Sequence, residues 1–116
     1  MDPIENAATP AGEIGVTSED GRTVVRLRGE VDAALRAEAS LSMAEALAST
    51  APIVVDTAGV TFIDSSGLAF VLQLHLAASE TGQALTLHDP EREVLSKLEM
   101  LGMAGEFDLE PSPAVA

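Results

Sequence analysis

The chain has 116 residues, enough for a single hydrophobic core, and at 47% hydrophobic against 22% charged it reads as one globular domain. The absence of cysteine excludes disulfides, a thiol nucleophile and thiolate metal sites. A net charge of −13, with Lys97 the single lysine, excludes the clustered cations that nucleic acid and anionic membranes require.

Aromatics are only 3%, so the core is built from Ala, Val, Leu, Ile and Met. Met1-Asp2-Pro3-Ile4-Glu5 lacks the basic and apolar regions of a secretory signal. The longest apolar run, from Gly67 to Leu72, is broken by Gln73 and His75, too soon to span a bilayer. The expectation is a soluble cytoplasmic protein with no nucleic-acid or membrane partner.

Residues 1–12, with Pro3, Pro10 and no period, read as a flexible arm. The domain proper is expected over 13–109, with 110–116 as a flexible tail. Glu13 to Ser18 alternates weakly, and Thr23 to Arg28 is β-rich; Glu19-Asp20-Gly21 between them is turn chemistry, because Asp-Gly tolerates positive φ. A hairpin follows. Gly29-Glu30-Val31-Asp32 is read as ending the strand, with Asp32 the N-cap of a helix whose apolar face is Leu35, Ala39, Met43 and Leu47. That helix ends by Ser49-Thr50, ahead of Pro52.

Ile53-Val54-Val55-Asp56 is a short β-branched run of the kind found in central parallel strands. The stretch Gly59 to Leu68 joins it to a second helix. Asp64 and the two serines are helix-start residues, and a first turn with its dipole also favours an anion. The helix from Leu68 to Glu80 is apolar nearly all round, so either another element or a partner covers it. Thr81-Gly82 stops it. Ala84 to His88 is the next strand. Asp89 as cap and Pro90 at the first position open a third helix with Val94, Leu95, Leu98 and Leu101 inward, and Gly102 ends it. Phe107 to Leu109 is a short edge strand. The order predicts an α/β fold: a mostly parallel sheet of four to five strands with an N-terminal antiparallel hairpin, and three to four helices mainly on one face.

Catalysis finds little support. Ser65 precedes Gly67 by two positions, but Ile63 stands where a nucleophile elbow needs its first glycine, and His75 and His88 have no orienting acid close in sequence. A receiver-type phosphoacceptor at Asp56 would need a lysine from the last strand, whereas Lys97 lies in a helical pattern. The two histidines and scattered carboxylates show no metal-ligand spacing, and no phosphate loop is present. No enzyme activity and no cofactor are expected.

Gly29-Glu30-Val31-Asp32, Ile53-Val54-Val55-Asp56, Gly59 through Leu68 and Gly102-Met103 together resemble the STAS domain, in particular bacterial anti-sigma factor antagonists, over about Glu13 to Leu109. The Asp64-Ser65-Ser66-Gly67-Leu68 core after Phe62-Ile63 is the specific part. The resemblance implies phosphorylation of Ser65 by an anti-sigma factor serine kinase that uses Mg-ATP, and reversal by a metal-dependent serine phosphatase. It implies partner binding by Asp32, Asp64, Ser65, Ser66, Gly67 and Leu68, with the unphosphorylated form freeing the sigma factor, and a monomer or weak dimer. Two other STAS roles fit the same sequence: a docking module that regulates a transporter or lipid-export ATPase, and a stress-signalling scaffold.

Overall fold

The computed structural model describes residues 11–110. A five-stranded sheet has the order β1 (Gly12–Glu19), β2 (Arg22–Val31), β3 (Ile53–Ile63), β4 (Leu85–His88) and β5 (Asp108–Leu109). β1 and β2 are antiparallel; every later pairing is parallel. Three helices follow β2, β3 and β4: α1 (Arg36–Ala48), α2 (Ser65–Glu80) and α3 (Glu93–Met100). This is the expected α/β architecture. The expected arm and tail fall mostly on residues 1–10 and 111–116, outside the described residues. Gly12 opens β1, and Glu110 donates its N–H to the Leu87 carbonyl at 2.9 Å, extending the β4–β5 pairing by one residue.

The hairpin turn places Asp20 and Gly21 at φ of 53° and 76°, the mirror-image turn that suits the twist of paired strands. In the sheet interior the period is two. Val25, Leu27, Ile53, Val55, Leu85 and Leu87 face the helices and join one core with Leu35, Phe70, Val71, Leu74, Val94 and Leu98. Val24, Arg26, Val54, Asp56, Thr86 and His88 alternate with them on the other face. There Val24 and Val54 are buried beside Arg22, Arg26 and Glu110. The stems of the long side chains shield apolar surface that no helix covers.

Four expectations about element ends are corrected. β3 does not stop at Asp56 but runs on to Ile63, and β2 continues through Gly29 to Val31. Pairing shifts register after Arg26 and again after Gly29, so the two strands absorb irregular residues and stay paired to their ends. Thr57, within the continued β3, is buried, and its hydroxyl donates to the His88 carbonyl and the Asp89 carboxylate. Asp32 does cap, accepting from the Ala34 N–H at 3.0 Å, but what it opens is a 3₁₀ turn over Ala33–Leu35, with the α-helix following at Arg36. α3 starts at Glu93 rather than Pro90, because Arg92 takes a left-handed φ of 58°. Asp89 still caps that helix, at longer range, accepting from Val94 at 3.2 Å and Leu95 at 2.6 Å.

α2 buries Gly67, Leu68, Phe70, Val71, Leu74 and Ala78 and leaves Leu76 53% exposed. Packing within the domain therefore covers one side of this apolar helix and not all of it. Gln83 was given no role by the sequence reading. Its amide donates to the carbonyls of Ala46, Ser49 and Ala51 and so closes the C-terminal end of α1.

Candidate functional site at the β3–α2 junction

Val31 and Ile63 are paired neighbours at the ends of β2 and β3. The residue that follows each strand is an aspartate, Asp32 and Asp64, so strand register brings two aspartates to neighbouring positions at the C-terminal edge of the sheet. The Asp64 N–H donates to the Val31 carbonyl at 3.2 Å, which fixes the two strand ends together. Asp64 is extended, with φ −101° and ψ −171°, and its Oδ1 accepts from the N–H groups of Ser66 at 2.9 Å and Gly67 at 3.1 Å. It is the N-cap of α2, as the sequence indicates.

Ser65 is the first residue of α2; both it and Ser66 are exposed. Gly67 and Leu68, expected on the binding surface, are buried. A Cβ on Gly67 would lie 2.5 Å from Ile63 Cγ1 and 2.8 Å from the Val31 carbonyl oxygen. The missing side chain is what lets α2 start against the strand ends. Gly67 and Leu68 therefore position the turn, while Asp32, Asp64, Ser65 and Ser66 present it.

Beside the turn, a groove of about 530 Å³ runs between α1 and α2, lined by Asp32, Ser66 and Gly67 at one end and by Leu35, Met43 and Phe70 further along. On the opposite flank stands Lys97 of α3. Its Nζ donates to the Ile63 carbonyl at 2.5 Å and lies 4.9 Å from the Phe62 ring centroid. Sequence reasoning placed Lys97 in a helix but not at this junction; the signal available was only its being the single lysine.

Among the described residues no base hydrogen-bonds to Ser65. His75 stacks on Phe107 with ring centroids 4.4 Å apart, and its Nδ1 is buried without a hydrogen-bond partner. His88 points to the helix-free face with Asp56, which is bonded to Arg26 at 3.0 Å. Lys97 grips β3 at Ile63, well along the strand from Asp56. Among the described residues no group of carboxylates and histidines is placed to hold a metal ion, and no helix is long and apolar enough to cross a membrane.

The fold and this junction define a STAS domain. The chain belongs to that family: the family profile described as "Mlab, STAS domain" matches residues 14–111. Comparison with curated proteins finds no match. Among solved structures, an anti-sigma factor antagonist from Mycobacterium paratuberculosis superposes with a TM-score of 0.70 at 20% identity, covering 92% of each chain. The Bacillus cell fate determinant SpoIIAA in its phosphorylated form gives 0.63 at 21% identity, covering 88% of this chain and 94% of that one. SLC26A9 gives 0.56 at 13% identity, where this chain covers 23% of the other.

Proposed function

We propose that this STAS domain is an anti-sigma factor antagonist. On this reading it binds an anti-sigma factor serine kinase while Ser65 is free and releases it once Ser65 is phosphorylated. The observation that carries the reading is the exposed Ser65, held at the start of α2 by a turn that Asp64 caps, with Asp32 following the end of the neighbouring strand. The likeness in fold to an anti-sigma factor antagonist, and to a cell fate determinant in its phosphorylated form, supports it.

The energetics suit a switch without refolding. A phosphoserine adds about −1.5 to −2 charge. A like charge at about 4 Å costs about 1 kcal/mol in water and more where water is excluded. Each 1.4 kcal/mol is about tenfold in affinity, so one phosphate facing a partner's acidic groups, on top of Asp32 and Asp64, weakens binding about ten- to a hundredfold. The partner supplies ATP and Mg²⁺, and a metal-dependent serine phosphatase resets the switch. This domain supplies no catalytic group.

Incubation with the cognate kinase and Mg-ATP is expected to add one phosphate to the wild type and none to Ser65→Ala, read by mass spectrometry. An Ser65→Ala chain modified as fully as the wild type removes the reading. A second reading, a docking module on a transporter or lipid-export ATPase, draws on the groove between α1 and α2, which could receive apolar side chains with no phosphate involved. Co-purification of an ATPase complex that binds wild type and Ser65→Asp equally would favour it.

A further inference from the structure

Six cations serve this acidic chain. Among the described residues four of them are matched to carboxylates: Arg22 to Glu110, Arg26 to Asp56 and Glu19, Arg28 to Glu13, and Arg92 to Glu99. Arg36 is exposed on α1 at the rim of the groove. Lys97 is different. It is half-buried, its ammonium is held by a carbonyl and an aromatic face, and both contacts are neutral. Its positive charge has no carboxylate partner among the described residues. The carbonyl that it grips, Ile63, comes two positions before Ser65.

We propose that Lys97 is the counter-charge for a phosphate on Ser65, so that modification ties α3 to the β3–α2 turn. The proposal rests on the reading of Ser65 as a phosphoacceptor. An ammonium has three donors, and Ile63 takes one. The flexible four-carbon stem lets the others turn toward a new anion while the head stays at the junction. The nearby carboxylates, Asp32 and Asp64, oppose a dianion. Lys97 offsets them from the α3 side, and Arg36 stands on the α1 side. The phosphate is then held by its own chain, and the partner meets a turn whose acidic character is retained but whose added charge is anchored.

The test installs phosphoserine at position 65 during translation, so that no kinase is needed, and follows its second ionisation by phosphorus-31 NMR. An opposite unit charge about 6 Å away through water lowers a pKa by roughly half a unit. The second pKa is expected to be lower in the wild-type phosphoprotein than in Lys97→Gln by about that amount, with Lys97→Arg restoring most of the difference. A purely structural tether between α3 and β3 would leave this pKa where it was. Equal values in wild type and Lys97→Gln overturn the proposal. Should Lys97→Gln not fold, the wild-type chain answers alone: biosynthetic carbon-13 labelling of lysine gives a single Cε signal, because Lys97 is the single lysine, and it is expected to shift on phosphorylation. An unmoved signal also overturns it. Either negative result leaves the phosphorylation switch itself intact, because that is judged by partner release.

Discussion

Gly67 occupies the third position of α2, where alanine would ordinarily strengthen a helix by about 1 kcal/mol. Here the added methyl would meet the Val31 carbonyl at 2.8 Å and Ile63 Cγ1 at 2.5 Å, and the carbonyl belongs to a paired strand. Overpacking of that kind costs about 1–3 kcal/mol, so it outweighs propensity. Gly67→Ala is expected to lower the urea midpoint, whereas an unchanged or raised midpoint would contradict the close approach. At Asp64 two N–H groups lose their acceptor on truncation, so Asp64→Ala is expected to cost about 0.5–2 kcal/mol, and Asp64→Asn clearly less. Ser65 carries the functional test at this scale. Ser65→Asp is expected to weaken kinase binding at least several-fold by calorimetry, and equal affinity would count against an electrostatic switch.

Elements differ in how much of them could be read locally. The hairpin, the end of α1 and the start and stop of α2 follow from neighbouring residues: Asp20-Gly21, the residues ahead of Pro52, Asp64 and Thr81-Gly82. α3 shows the limit. Asp89-Pro90 looks like a cap followed by a first helical residue, yet the carboxylate reaches Val94 and Leu95 across an intervening turn while also accepting from Thr57 of β3. One side chain thus joins a helix start to a neighbouring strand. Asp89→Ala is expected to cost about 1–2 kcal/mol, toward the upper end for a cap because the buried Thr57 hydroxyl loses a partner as well. A loss below about 0.3 kcal/mol by urea unfolding would show that the link is idle.

Across the whole molecule, charge is arranged by face. The helix-free face gathers Arg22, Arg26, Asp56 and Glu110, and the carboxyls of Asp56, Glu110 and Glu19 there titrate below their ordinary range. Burial pushes Asp56 up, but the Ala58 N–H and the Arg26 guanidinium outweigh it; Glu110 is lowered by the Thr86 hydroxyl and by Arg22, and Glu19 by the Thr17 hydroxyl and Arg26. Each of these groups holds its proton less readily folded than unfolded, so stability rises with pH where they titrate. Their contribution is complete above the ordinary carboxylate range, about pH 4, and is lost as pH falls below it through their lowered folded range. The urea midpoint is expected to drop between pH 5 and pH 3. Arg26→Gln should cost about 0.5–1 kcal/mol at pH 7 and less at pH 3, because its carboxylate partners begin to take up protons as pH falls toward their lowered range. An equal loss at both values would assign Arg26 a packing role instead.

The sequence by itself determined the class of fold, the hairpin, the three helices and the Asp64-Ser65-Ser66-Gly67 turn, because each depends on side chains acting on backbone within a few residues. Only the tertiary structure decided that β2 and β3 stay paired beyond Arg26 and Asp56, that Asp32 stands beside Asp64, that Gly67 and Leu68 face inward, and that Lys97 reaches Ile63. Those facts depend on strand register and on contacts between segments more than thirty residues apart, and a local pattern of residues does not encode the distance that folding closes.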